Sequence, residues 1–149
     1  MGLPRALQAH REGDLALAET HYKRALEQGQ YKPELFQNYG SLLRANGHND
    51  QAKEIFLKGL ENYPFHYGIC RNYINLLREQ NETSEALKLN LRLLQIARKN
   101  DDSALESSYC ECIDLLLHLG ALQWALAVLR QAFYELGVKY KLLWALFRV

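Results

Sequence analysis

The sequence has almost no net charge and no long apolar run, and these two absences limit its partners. Its 18 basic and 17 acidic residues leave a formal charge of +1. The basic surface that attracts nucleic acid or an anionic membrane is therefore not indicated. Apolar runs such as residues 115–117 fall far short of the roughly 20 residues that cross a bilayer. We expect no nucleic-acid partner and no membrane partner.

Cysteine is scarce, and the N-terminus has no pattern of a secretory signal. The chain contains three cysteines, Cys70, Cys110 and Cys112, and an odd number fits reduced thiols better than a disulfide framework. Residues 1–5 lack the basic start and apolar core of a signal peptide. These features predict a cytoplasmic protein.

Prolines are also few, and glycines separate segments of helical periodicity. Only 3 prolines and 9 glycines occur, and no long stretch alternates with the period of two that is typical of a strand. The sequence therefore predicts an all-α chain. The predicted helices lie near residues 2–11, 15–28, 33–45, 49–62, 67–80, 83–99, 102–118 and 122–136. A ninth, incomplete helix is predicted to begin near Val138.

A turn signal repeats along the chain at a nearly constant interval. Gly13, Gly47 and Asn81 are 34 residues apart, and a fourth copy at Gly120 follows after 39, with the extra residues in the polar stretch 98–103. Glycine and asparagine tolerate the left-handed conformation that ends a helix in a tight turn. Five residues after each turn stands an alanine, at Ala18, Ala52, Ala86 and Ala125. Since small residues let two helices cross closely and one hairpin cannot bury its own apolar face, the pattern predicts four helical hairpins.

The second copy of the pattern resembles the tetratricopeptide repeat family. It carries Phe36, Gly40, Leu43, Gly47, Ala52, Phe56, Leu60 and Pro64 in the register of that family. The third copy departs from it, with Ile74 in place of the glycine and Asn90 in place of an aromatic residue. The resemblance implies a right-handed superhelical solenoid of antiparallel helix pairs. We expect a single domain over residues 1–149 with repeats at about 1–32, 33–66, 67–101 and 102–137, followed by a capping helix or a truncated repeat at 138–149.

The resemblance also implies where a partner binds. In this family the first helices of the repeats line a concave groove that holds an extended peptide or a partner helix. The residues expected to face that groove are Gln37, Asn38, Ser41, Arg44, Arg71, Asn72, Asn75, Arg78, Glu111 and Asp114. Asn38 and Asn72 occupy the same position one repeat apart, and an amide can both donate to and accept from a peptide backbone. The alternative is that these polar residues form an ordinary solvated face.

Charge refines the expected ligand. The three arginines make the middle of the groove positive, whereas Glu111 and Asp114 make the share of the fourth repeat acidic, which favours a ligand with an acidic centre. Members of the family that bind chaperones hold a terminal carboxylate with five lysine, asparagine and arginine side chains. Only Asn38 matches that set when the comparison starts from the first repeat. Chaperone C-termini are therefore not expected as ligands.

Catalytic motifs are missing from the sequence. It contains no glycine-rich phosphate loop, no serine-centred nucleophile elbow and no pair of cysteines with two residues between them. Cys110, Asp114 and His118 are four residues apart on one helical face, a spacing that could hold a divalent metal. Polar groove lining is the favoured interpretation, because metal sites usually draw ligands from facing helices as well. We expect a non-catalytic interaction scaffold with a protein or peptide partner and no cofactor or metal.

The C-terminal stretch leaves three alternatives open. Leu143, Trp144, Leu146 and Phe147 make residues 138–149 too apolar for a fully solvated end of a repeat array. One hypothesis is that a longer protein continues here and that the chain is an adaptor presenting substrates to an enzyme such as a glycosyltransferase or methyltransferase. A second is that the terminal helix folds back as a cap, and a third is self-association into a homo-oligomer through this helix.

Overall fold

The structure is a computed structural model that describes residues 2–100 and 102–137. The described residues form eight helices and no strand, which confirms the all-α class and the eight predicted helices. Their bounds are α1 Gly2–Glu12, α2 Leu15–Glu27, α3 Pro33–Ala45, α4 Asn49–Asn62, α5 Tyr67–Glu79, α6 Thr83–Asn100, α7 Asp102–His118 and α8 Leu122–Leu136. The predicted ninth helix, and with it the cap and the self-association surface at 138–149, lies outside the described residues.

The chain divides into two compact units, residues 1–76 and 77–149, with the boundary inside α5. In the first unit α1 packs on α2, α3 packs on α4, and α2 packs on α3. In the second unit α6 packs on α7, and α7 packs on α8. The expectation of one domain with four repeats stays a prediction.

The four turn positions adopt the predicted left-handed conformation. Their φ angles are +82° at Gly13, +77° at Gly47, +58° at Asn81 and +69° at Gly120. After each turn residue, the next N–H donates to the carbonyl five residues earlier, as in His48 to Leu43 at 2.9 Å and Glu82 to Leu77 at 2.8 Å. This bond closes a helix whose last carbonyls would otherwise have no partner. Asn81 is the only residue other than glycine with a positive φ in the described part of the chain.

Small residues permit the close approach of the helices, as the sequence predicts. A Cβ atom on Gly40 of α3 would lie 2.3 Å from Cε1 of Phe56 on α4, so the phenyl ring occupies the space that a side chain would need. Phe56 is fully buried and stacks on Tyr73 of α5 with ring centroids 5.8 Å apart. Tyr22 stacks in the same way on Tyr39, at 5.5 Å. The predicted alanine positions Ala18, Ala52, Ala86 and Ala125 are all fully buried.

In the second unit a polar pair replaces this aromatic stack. Asn90 stands nine residues after its turn, as Phe56 does, and Cys112 stands eight residues before its turn, as Tyr73 does. Both are fully buried, so Cys112 is part of the core. The Nδ2 atom of Asn90 donates to the carbonyl of Ser108 at 2.8 Å. Burial raises the pKa of the Cys112 thiol to about 11, although a hydrogen bond with Asn90 opposes the shift.

The polar stretch 98–103 begins at the end of α6 with an ion pair to α8. The guanidinium of Arg98 donates to both carboxylate oxygens of Glu135, at 3.1 and 3.0 Å, and to the hydroxyl of Tyr109 at 2.8 Å. Partial burial alone would raise the pKa of Glu135, but hydrogen bonds from Gln131, Arg98 and Tyr109 outweigh it and hold that pKa below its usual value. Charge-assisted hydrogen bonds from one guanidinium therefore link α6 to α7 and α8 in the second unit.

Candidate functional site

Seven of the predicted groove residues lie on α3 and α5 in the first unit, and all seven are partly buried. They are Gln37, Asn38, Ser41 and Arg44 on α3 and Arg71, Asn72 and Asn75 on α5. Partly buried polar side chains can bind a ligand in an environment less polar than water, where a hydrogen bond is electrostatically stronger.

Asn72 links the two helices. Its Nδ2 atom donates to the hydroxyl of Ser41 at 2.8 Å and to the carbonyl of Gln37 at 3.3 Å. Both hydrogens of the amide are therefore used, and its Oδ1 atom remains as an acceptor. Ser41 accepts the bond from Asn72 and keeps its own O–H as a donor. The structure thus brings three of the predicted site residues together.

Asn38 has the same register position as Asn72 but a different bond. Its Nδ2 atom donates to the carbonyl of Glu34, one turn earlier in α3, at 2.9 Å. One N–H and the Oδ1 atom of Asn38 remain available. The side chain of Asn75 makes no hydrogen bond to another described residue. Asn38 and Asn72 therefore do not form a ladder of equivalent groups.

The side chain of Gln37 lies against the first turn of α5. A Cβ atom on Gly68 would lie 2.2 Å from Oε1 of Gln37, so the amide rests directly against the backbone of α5. The glycine at this position gives the Gln37 side chain room to cross from α3 to α5. The hydrogen bonds that link α3 to α5 come from Asn72, and the Gln37 amide packs beside them.

A cavity of about 740 Å³ lies beside this face, and the expectations from sequence missed it. It is lined by Leu3, Pro4, Leu7, Arg11, Gly29, Gln30, Tyr31, Lys32 and Glu34. The sequence does contain a signal for this cavity, because one repeat length before the polar residues of α3 the side chains are apolar. Leu3, Pro4 and Leu7 stand 34 residues before Gln37, Asn38 and Ser41. Glu34 lines the cavity and accepts the bond from Asn38, so the cavity begins one helical turn from the polar face.

In the second unit two of the predicted groove residues pair with each other. The Nη1 atom of Arg78 lies 2.7 Å from Oε1 of Glu111. The Glu111 side chain is 5% exposed and that of Arg78 is 44% exposed, so the carboxylate lies beneath its partner. The two charges offset one another, and Glu111 does not act as an isolated acidic group. Asp114, one turn further along α7, is partly buried.

The stripe of Cys110, Asp114 and His118 has other contacts. The Nδ1 atom of His118 donates to the backbone carbonyl of Asp114 at 2.8 Å, and Cys110 packs against the apolar cluster of α6, α7 and α8. Within residues 2–100 and 102–137, no group of three or more histidine, cysteine, aspartate or glutamate side chains could hold a metal ion.

None of the helices in the described part of the chain is both long enough and apolar enough to cross a membrane.

Comparison with known proteins identifies the fold. No family model matches the chain, and no curated protein sequence matches it. Among solved structures, a tetratricopeptide repeat protein from Parabacteroides merdae superposes on 97% of the chain with a TM-score of 0.78 and 20% identity. The MamA protein superposes on 89% with a TM-score of 0.72 and 14% identity. A second MamA structure, from AMB-1, superposes on 95% with a TM-score of 0.74 and 15% identity.

The chain spans 56% of the length of the first of these proteins, and 70% and 75% of the two MamA chains. At these identities the likeness concerns the backbone, and it agrees with the eight helices and the left-handed turns described above. The chain therefore has the fold of the tetratricopeptide repeat proteins, an all-α arrangement of antiparallel helix pairs, as the repeat register predicts.

Proposed function

We propose that the chain is a non-catalytic protein-interaction scaffold that binds an extended peptide along α3 and α5 of its first unit. The observation that carries the proposal is the bond from Asn72 to Ser41. It fixes two polar side chains of neighbouring helices while leaving each with one unused hydrogen-bonding group. A site that is already ordered loses less conformational entropy when a ligand binds.

The unused groups complement a peptide backbone. An extended peptide presents N–H donors and carbonyl acceptors in alternation. The Ser41 hydroxyl can donate to a carbonyl, the Oδ1 atom of Asn72 can accept from an N–H, and the amide of Asn75 can do both. Such bonds are independent of the side chains of the ligand, and neighbouring residues must supply the selectivity.

Arg44 and Arg71 lie on the same two helices and add positive charge beside these groups. As the sequence predicts, we propose a peptide with acidic residues as the ligand. In the second unit the pairing of Arg78 with Glu111 offsets both charges. We propose that Arg78, Glu111 and Asp114 serve there as polar contact residues.

The test selects peptides from a random heptapeptide display library on the full chain and measures their affinity for purified variants. Asn75→Ala should weaken binding about 3- to 10-fold, which corresponds to the roughly 0.5–1.5 kcal/mol of one hydrogen bond. The helical circular dichroism of this variant should not change, because the side chain of Asn75 makes no hydrogen bond to another described residue. Asn62→Ala is the matched control, since Asn62 is an exposed asparagine at the end of α4 that bonds only to Lys58 of its own helix.

Two results would reject the proposal. One is a library from which the full chain enriches no peptide. The other is a set of peptides whose affinity falls equally for Asn75→Ala and Asn62→Ala, or for neither, because binding would then lie elsewhere on the chain.

A further inference from the structure

The cavity of the first unit has an apolar wall on α1. Leu3, Pro4 and Leu7 lie on successive turns of this helix and line the cavity. They replace the polar Gln37, Asn38 and Ser41 of the next repeat. Clefts with volumes of roughly 300–1,000 Å³ and a largely apolar lining are the usual form of a binding pocket, and this cavity of about 740 Å³ falls in that range.

The opposite wall is held in place by its own contacts. The N–H of Leu3 donates to Oε1 of Gln30 at 3.1 Å, which ties the start of α1 to the loop between α2 and α3. The hydroxyl of Tyr63 donates to the carbonyl of Tyr31, and the ring of Tyr31 packs on Phe36 at 5.8 Å. The cavity is therefore bounded on both sides by ordered groups of the same unit.

Two cations also line the cavity. Arg11 and Lys32 are exposed, and neither forms an ion pair with another described residue. The Nε atom of Arg11 donates to the carbonyl of Leu7 at 3.3 Å, which holds the guanidinium beside the apolar wall. Glu34 is the one carboxylate of the lining, so the two cations leave a single excess positive charge beside the apolar wall of α1.

We infer that this cavity is a specificity pocket that takes one large apolar side chain of the bound peptide, with an acidic residue directly next to it. The inference rests on the proposed function, because the pocket begins at Glu34, whose carbonyl accepts the bond from Asn38. The apolar side chain packs on Leu3, Pro4 and Leu7. The neighbouring carboxylate pairs with Arg11 and Lys32 at the rim.

The pocket supplies the sequence selectivity that the backbone contacts cannot. Removing the side chain of a leucine-sized anchor from such a pocket forfeits most of its burial, which corresponds to a loss of affinity of about tenfold or more. The exposed ion pair contributes less, about two- to fivefold, and weakens with salt. The apolar anchor should therefore dominate, and the acidic neighbour should set the preference among otherwise similar peptides.

The experiment uses the heptapeptides that the full chain enriches from the display library. Each peptide is resynthesised with its large apolar residue changed to alanine, or with its acidic residue changed to lysine. Affinity is measured for the wild-type chain and for Leu7→Ser, Arg11→Glu and Lys32→Glu. The controls are Leu17→Ser, an exposed leucine on α2, and Arg5→Glu, an exposed arginine on α1, neither of which lines the cavity.

We expect enriched peptides to share an apolar residue next to an acidic one. Loss of the apolar residue should weaken binding about tenfold to the wild-type chain and have little further effect on Leu7→Ser. The change of the acidic residue to lysine should weaken binding to the wild-type chain and strengthen binding to Arg11→Glu and Lys32→Glu. Both charge variants change exposed side chains, so their helical signal should be retained.

The outcomes separate the two proposals. Peptides that depend on Asn75 but share no apolar and acidic pair would overturn the pocket and leave the scaffold proposal standing. The pocket would also be overturned if the apolar and acidic residues of the peptide contributed as much to the affinity for Leu7→Ser and Arg11→Glu as to the affinity for the control variants. If no peptide is enriched, both proposals are rejected.

Discussion

The substitution Gly40→Ala tests the close packing on which the first unit depends. A Cβ atom at this position would lie 2.3, 2.6 and 2.7 Å from three atoms of the Phe56 ring, well inside van der Waals contact. Phe56 cannot move away easily, because it is fully buried and stacks on Tyr73. The new methyl group must therefore displace α3 from α4 or force the ring off its preferred rotamer.

The magnitude follows from two opposing effects. Replacing glycine by alanine in a helix ordinarily stabilises it by roughly 0.5–1 kcal/mol. Overpacking of a filled core costs roughly 1–3 kcal/mol. The overlap with three ring atoms places Gly40 toward the upper part of that range, so we expect a net loss of about 1–2 kcal/mol. For a chain of 149 residues this corresponds to a fall in Tm of about 2–8 °C.

Urea unfolding followed by circular dichroism would measure this effect, with Gly68→Ala as the matched control. A Cβ atom at Gly68 meets only the far end of the Gln37 side chain, which can rotate away, so this variant should be neutral or slightly more stable. Adding Phe56→Leu to Gly40→Ala should cost less than Phe56→Leu alone, since the shorter side chain relieves the overlap. If Gly40→Ala instead raises the free energy of unfolding as much as Gly68→Ala does, the inference that the helices are tightly packed at Gly40 is wrong.

Three further predictions concern the turns, the thiols and the charges. Asn81→Gly should raise the free energy of unfolding by a few tenths to about 1 kcal/mol, because the φ of +58° at this residue suits glycine; a lower Tm would contradict this. At pH 8 a thiol reagent should modify Cys110 well before Cys112, which is fully buried with a pKa raised to about 11; an unchanged fast phase in Cys110→Ser would refute it. The depressed pKa of Glu135 means that its bond with Arg98 stabilises the fold above the unfolded pKa near 4.3 and is lost as the pH falls. The advantage of wild type over Glu135→Gln, about 1 kcal/mol at pH 7, should therefore disappear near pH 3, and an advantage that persists there would show that this ion pair is not its source.

The features that sequence predicts well are those decided within one or two turns of helix. A left-handed residue such as Gly47 ends a helix through its own backbone freedom, and the bond from His48 to Leu43 needs only residues of the same turn. The fully buried positions of Ala52 and Phe56 follow equally directly from their distance to that turn. These local rules are enough to predict the helices and the fold.

The bonding of the polar face could not be predicted in this way. Asn38 and Asn72 have the same register position, yet Asn38 bonds to its own helix and Asn72 bonds across to α3. The difference depends on Ser41, whose hydroxyl lies within reach of Asn72. The residue at the corresponding place in the preceding repeat is Leu7, which offers Asn38 no polar group. Repeat register therefore predicts which face a side chain occupies, while its partner on the neighbouring helix decides how it bonds.

The same reasoning explains why the pocket and the polar face occur side by side. Where the neighbouring helix supplies Ser41, the asparagine is drawn across and the gap between the helices is closed by a hydrogen bond. Where it supplies Leu3 and Leu7, no such bond forms, and a cavity remains between α1 and the start of α3. Substituting serine at residue 7 should thus do more than remove apolar surface. It would give Asn38 the partner that Asn72 already has, and a shift of the Asn38 amide resonance in Leu7→Ser would show that one substitution converts the pocket into a second copy of the linked face.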